Sequence, residues 1–323
     1  MRIPTRRQAL ALLAALPAAA RAVPARAQPH PMPPPGRRAW ASEVREVRIG
    51  LLGGENEADR LARFGPFRAL VESHFQLPAR VYPAGDYAGV VQGFVARQLE
   101  IATMGPLPYA RIWIETHGNV EPLVIARDAD GSVAYIAVMY VRADSPITSL
   151  GQMRGRSLAW ADPNSTSGYL VPRSELREAG IAPESFFGRT GFAGGHEQAI
   201  VAVLNRQYDA GVTWASGVGE LAQGYSRGAL RAMVDKGMLN MADLRIIWRS
   251  RPIPNGPTVV RGDLPQAFRE DMRAFMLALP EAHPDIFRQI ERGAAAGYVS
   301  ATHAAFEPVI AMVRAEAAAR RAR

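Results

Sequence analysis

The sequence predicts an α/β protein built as two doubly wound lobes around a cleft, on three observations. Short β-branched and aliphatic runs alternate with segments of helical apolar spacing, and parallel strands need such helical crossovers. The alternation occurs twice, before and after Asp144-Ser145-Pro146. Residues 244–248 and then Arg251-Pro252-Ile253-Pro254-Asn255-Gly256-Pro257 bring the chain back, so one unit is inserted into the other with two crossings. The length of 323 residues suits two domains or one large one.

The chain starts with a segment unlike the rest. Arg2, Arg6 and Arg7 precede an apolar run over residues 9–20, broken at Pro17, and Ala25-Arg26-Ala27 has the small-x-small form of a cleavage site. The run is too short to cross a hydrocarbon core roughly 30 Å thick. Residues 1–27 are therefore expected to be an export signal cleaved near Ala27, placing the mature chain in the periplasm; the alternative is an uncleaved anchor or a basic arm. Thr5-Arg6-Arg7-Gln8-Ala9-Leu10 is similar to the twin-arginine signal, but Ala9 stands where a bulkier apolar residue is preferred, which leaves the general route open. Residues 28–45 open with QPHPMPPPG and are expected to be a linker. No later apolar run approaches spanning length, so no membrane insertion of the mature chain is expected.

The first lobe is expected to comprise residues 46–142 and 246–323. Val47-Arg48-Ile49-Gly50-Leu51-Leu52 reads as a strand, and residues 57–75 as a helix with Leu61, Phe64, Phe67, Leu70, Val71 and Phe75 at helical spacing. Residues 79–82 form a second strand, 87–97 a helix, 99–104 a third strand closed by Gly105-Pro106, and a further helix carries Tyr109, Ile112 and Trp113. Strands follow at 120–125 and 134–141. The second lobe, residues 143–245, repeats the pattern: a strand at 157–161, a polar loop into a helix at 169–179, a crossing at 186–192, a helix after Gly194-Gly195-His196, and a strand at 208–214.

A formal net charge of +8 first suggests a nucleic-acid or anionic-membrane binder. The residues 1–27 carry five Arg and no acid, so their removal leaves +3, and Arg320, Arg321 and Arg323 sit in the tail. The body is close to neutral, and no nucleic-acid partner is expected. Lys236 is the only lysine. The absence of cysteine excludes disulfides, thiolate catalysis and iron–sulfur clusters. Six scattered histidines show no close pair suited to zinc, and no phosphate loop of nucleotide hydrolases occurs, so neither metal nor cofactor is expected.

Asp162-Pro163-Asn164-Ser165-Thr166-Ser167-Gly168 is the sharpest chemical feature. It joins a strand to a helix whose first N–H groups lack intrahelical partners and whose dipole is positive there. Three adjacent hydroxyls at such a terminus can hold an oxyanion, although N-capping alone also calls for Ser or Thr. Gly194-Gly195-His196-Glu197 is a second such junction, where His196 either donates to an anion or serves as a surface or capping residue.

These segments, in order and spacing, are similar to the periplasmic phosphonate/phosphate/phosphite-binding proteins of ABC transporters. The resemblance covers about residues 46–310. It is carried by Gly50-Leu51-Leu52 with Glu55-Asn56, Gly85-Asp86-Tyr87-Ala88-Gly89-Val90, Glu100-Ile101-Ala102-Thr103-Met104-Gly105-Pro106, the 162–169 loop, Gly194-Gly195-His196-Glu197 with Asn205 to Val212, and the Ile253–Pro257 return. It implies a type II periplasmic-binding-protein fold with a hinge closing on the ligand. It implies that Ser165, Thr166, Ser167 and His196 hold the phosphorus oxygens and that Tyr87 reaches in from the first lobe. Met104 and Trp214 are further candidate wall residues. The partners implied are a small oxyanion and an ABC transporter permease, with the receptor a monomer and not an enzyme.

The chain departs from that family where Thr103 and Met104 replace an aromatic, and where Ser216 and Gly256 stand at positions that are acidic in binders of aminated phosphonates. An unpartnered buried ammonium is costly, so an aminated phosphonate is not expected to be the best ligand. The competing readings are a sensor-kinase receptor, a binder of a sulfonate or other small anion, and a hydrolase using Ser167 and His196, which lacks a G-x-S-x-G elbow.

Overall fold

The structure is a computed structural model that describes residues 30–321 apart from 54, 55 and 294. The expected export signal lies outside the described residues. In chain order the first elements are β1 (Val47–Leu51), α1 (Glu57–Phe75), β2 (Ala79–Pro83), α2 (Tyr87–Val95), β3 (Ile101–Thr103), α3 (Pro106–Glu115), β4 (Val120–Asp128) and β5 (Ala134–Arg142). There follow β6 (Ser157–Trp160), a π-turn (Thr166–Leu170) running into α4 (Val171–Glu178), α5 (Pro183–Phe186), β7 (Arg189–Phe192), α6 (His196–Leu204), β8 (Ala210–Ala215), α7 (Ala229–Asp235) and β9 (Leu244–Arg249). The chain ends in β10 (Ile253–Pro254), β11 (Pro257–Arg261), α8 (Gln266–Ala282), α9 (Pro284–Glu291), β12 (Ala295–Ser300) and α10 (Glu307–Arg321).

Two six-stranded sheets result. The first runs β12-β4-β11-β3-β1-β2, and the second β10-β5-β8-β6-β7 with β9 also on β5. Helices cover both faces of each. In the first lobe, α1 and α8 bury Phe67, Phe75, Phe268 and Phe275 on one face, while α2, α3 and α10 bury Phe94, Leu107 and Val309 on the other. The second lobe packs Leu158, Val171 and Leu176 on one face and Ile200, Leu230 and Met233 on the other. Each such side chain contributes about 1.5–3 kcal/mol on burial.

Three expectations are corrected. The sheets are mixed: β1, β2 and β3 are parallel, as are β6, β7 and β8, but β11 and β12 in the first sheet and β5 in the second run antiparallel to their neighbours. Of these, β5 enters the second lobe and β11 returns to the first. The lobe boundaries also move. β5 and β9 belong to the second sheet, so the chain crosses at 129–133 and 255–256 rather than at 142–143 and 245–246. Finally, residues 32–44 are not a free linker. Gly36 donates its N–H to the His74 carbonyl, and Trp40 is buried against Phe75 and Phe268 with its indole N–H on Asp271 at 2.8 Å. Trp40 docks because its large apolar surface finds a cleft between α1 and α8, which outweighs the proline-rich start of the segment.

Candidate functional site

The second lobe supplies the polar floor of the site. At the C-terminal end of β6 the chain turns at Ser165, whose hydroxyl accepts the Gly168 N–H at 3.0 Å as an N-cap. The next turn is wider than an α-turn, with Leu170 N–H on the Ser165 carbonyl, a π-geometry common where backbone is shaped for function. Gly168 is required in this turn: a Cβ there would lie 2.4 Å from the Ala161 side chain and 3.0 Å from the His196 ring. At the end of β7, α6 opens with His196. Its Nε2 lies 3.2 Å from the Ser165 hydroxyl and its Nδ1 3.1 Å from the Thr213 hydroxyl on β8. Ser165, Thr166, Ser167 and His196 are all buried.

The first lobe faces them. β3 ends at Thr103 and α3 starts after Gly105, and the Leu107 N–H donates to the Thr166 hydroxyl across the cleft at 2.8 Å. The Asp86 side chain caps α2 by accepting the Gly89 N–H, which sets Tyr87 at the first position of that helix. Gly256, at the return crossing, packs so closely that a Cβ would lie 2.3 Å from the Met104 carbonyl oxygen, so no acidic side chain fits at this position. Ser216 bonds Ser226 at 2.8 Å instead of facing an acid.

All seven residues singled out from the sequence, Tyr87, Met104, Ser165, Thr166, Ser167, His196 and Trp214, line one cavity of about 240 Å³ between the lobes. Sequence reasoning missed Tyr135, Asn255 and Thr258 on the same wall. Tyr135, from β5, stands beside the Ser167 and Thr166 hydroxyls; burial pushes its phenol up to about 12 against their opposing pull, so it stays neutral. It meets Trp214 edge to face with ring centroids 5.8 Å apart. Asn255 donates to the Ala126 carbonyl at 2.8 Å, fixing the return crossing. A Tyr in an alternating strand carries no local signal of this role, whereas Asn255 sits in the Pro254-Asn255-Gly256 turn already singled out.

The charged groups on the wall are largely matched. Arg227 makes a two-pronged pair with Asp128 at 2.7 and 2.8 Å and lies 3.7 Å from Glu291, which accepts the Tyr298 hydroxyl. Glu197 pairs with Lys236 at 2.9 Å and Arg292 at 3.7 Å. The floor itself is hydroxyls, an imidazole and helix termini, an arrangement that donates hydrogen bonds to a tetrahedral anion. Within that floor the His196 ring bridges the Ser165 hydroxyl on one second-lobe loop and the Thr213 hydroxyl on β8. Among the described residues no cluster of three or more His, Asp or Glu could hold a metal, and no helix is long and apolar enough to cross a membrane.

Two α/β lobes, linked by two crossings and enclosing a cavity at the C-terminal ends of parallel strands, define a type II periplasmic-binding-protein fold. The chain belongs to the family of periplasmic phosphonate substrate-binding proteins of ABC transporters, whose profile matches residues 49–306. It is 28% identical over 239 residues to the phosphonates-binding periplasmic protein of Escherichia coli, covering 73% of this chain and 66% of that one. It is also 28% identical over 212 residues to the phosphate-import protein PhnD of Mycolicibacterium smegmatis, covering 63% and 62%. The chain thus spans a little under two thirds of the length of these relatives. Among solved structures, PhnD1 of Prochlorococcus marinus in complex with methylphosphonate superposes with a TM-score of 0.71 at 19% identity, covering 84% of this chain and 97% of the other.

Proposed function

We propose that this chain is the extracytoplasmic substrate-binding protein of an ABC importer. It captures a small phosphorus oxyanion (phosphonate, phosphate or phosphite) between its lobes and delivers it to a membrane permease. One observation carries the reading: in a chain of this family, the hydroxyls of Ser165, Thr166 and Ser167 and the His196 ring converge on one cavity, opposite Tyr87 and the α3 terminus. The first-turn dipoles and hydroxyls favour an anion without a full counter-charge on the floor. The crossings at 129–133 and 255–256 are the hinge, and the lobes part there to admit ligand. The receptor acts as a periplasmic monomer after removal of residues 1–27, and it turns nothing over.

Calorimetry on residues 28–323 with phosphate, phosphite and methylphosphonate tests this. At least one binds with a single site per chain; absence of binding by all three overturns the reading. 2-Aminoethylphosphonate binds more weakly than methylphosphonate, because Gly256 and Ser216 offer its ammonium no carboxylate and Glu197 and Glu291 are already engaged. No hydrolysis of a chromogenic phosphate monoester is expected, and turnover lost in Ser167→Ala would displace the receptor reading.

A further inference from the structure

The first turn of α1 inverts the usual order of burial. Leu61 is 40% exposed while its neighbour Arg60 is only 2% exposed and lies on the wall of the ligand cavity. A buried arginine is normally matched by a carboxylate, since an isolated buried charge is costly. Arg60 is not so matched. Its guanidinium donates to three backbone carbonyls, those of Leu51 at 3.3 Å, Leu52 at 2.6 Å and Ala84 at 2.9 Å. Its Nε is buried with no partner, and among the described residues no carboxylate lies within ion-pair distance of it. The carbonyl dipoles fix the fork in place, and no carboxylate among the described residues neutralises its charge. Arg227 and Arg292, which line the same cavity, by contrast pair with acids.

We infer that Arg60 is the fixed counter-charge that makes this receptor selective for dianions. The inference rests on the oxyanion reading of the site and specifies its substrate class. The hydroxyls and dipoles of the second lobe hold one negative charge, and Arg60 on the first lobe favours the second. A unit charge held several Å from a ligand charge, at an effective permittivity near 20, changes affinity by about a hundredfold. A doubly ionised phosphoryl group and a singly charged oxyanion with a carboxylate substituent both satisfy the requirement.

The probes are methylphosphonate and methanesulfonate at about pH 9, where the first carries two charges and the second, of the same tetrahedral shape, carries one. Sulfoacetate, a sulfonate with a carboxylate, distinguishes the two sources of the second charge. Wild-type protein is expected to bind methylphosphonate about a hundredfold tighter than methanesulfonate. In Arg60→Met that gap shrinks to less than about tenfold, with most of the loss on the phosphonate, whereas Arg60→Lys retains it. Sulfoacetate binding tighter than methanesulfonate assigns the second charge to the substituent, and its binding no tighter assigns it to the phosphoryl group.

A purely structural Arg60 would lower both affinities in proportion, and that result overturns the inference, as does loss of the gap in Arg60→Lys. Wild-type protein that binds the phosphonate and the sulfonate alike overturns it without any variant. Binding of neither probe, nor of phosphate or phosphite, fails the oxyanion reading itself and the inference with it.

Discussion

Thr166 shows why single side chains here do two jobs. Its hydroxyl lies on the cavity wall and also accepts the Leu107 N–H from the opposite lobe. Thr166→Val is therefore expected to weaken phosphate or phosphonate binding by about 1–3 kcal/mol, since it removes both a donor to the anion and an acceptor that favours closure. Calorimetry reads this directly; an affinity unchanged within error places Thr166 outside the contact set. Ser165→Ala removes the cap on Gly168 and a contact to His196, and should lower stability by about 1 kcal/mol in thermal unfolding without ligand. The polar floor was legible in the sequence because Ser, Thr and His cluster at strand-to-helix junctions, where backbone donors are left over. Tyr135 was not legible, because its approach to Ser167 depends on how β5 crosses the π-turn.

At the scale of elements, the π-turn and the strand ends set the tolerances. Gly168→Ala should be strongly destabilising, because its methyl would meet the Ala161 side chain at 2.4 Å between two buried elements. A thermal midpoint like that of the wild type would show that the turn shifts to admit it. Asp209 ties the start of β8 to β6 by accepting the Ser157 N–H and hydroxyl. Burial opposes its charge, but these two hydrogen bonds prevail and hold the carboxyl below the usual carboxylate range. A depressed acid stabilises the fold above its unfolded pKa and loses that contribution as pH falls through the folded value. Asp209→Asn should therefore unfold at lower temperature than wild type at neutral pH, with the difference vanishing by about pH 2. The existence and order of the strands were evident from alternation and turns. The sheet to which β5 and β9 belong was not, because a run such as Tyr135-Ile136-Ala137-Val138 pairs equally well with either lobe until distant partners are known.

For the whole molecule, polar bridges join the two lobes across the cleft. Lys236 on the second lobe reaches Asp59 at the start of α1 at 2.8 Å as well as Glu197 on its own side. Arg111 hydrogen-bonds Asn164, Arg173 pairs with Glu316 of α10, and Arg227 holds Asp128 beside the first crossing. The partly exposed bridges are weak and salt-sensitive, whereas the buried Arg227–Asp128 pair is costly to break by halves. Lys236→Ala is thus expected to increase the radius of gyration of ligand-free protein in small-angle scattering while leaving the ligand-bound value unchanged; identical ligand-free profiles would exclude Lys236 as a clasp. The two-lobed plan was legible from the doubled β–α pattern and the late return of the chain. These bridges were not, because they join residues far apart in sequence whose charges look like ordinary surface polarity.

Lys236 also sets the chemistry by which the protein can be watched. It carries the one side-chain amine in the sequence, and it stands between the Asp59 and Glu197 carboxylates. An amine-directed reagent has one internal target, distinguishable from the chain terminus by peptide mapping. Its rate of modification should fall when ligand draws the lobes together. The labelling rate of unaltered protein thereby becomes a clock for opening.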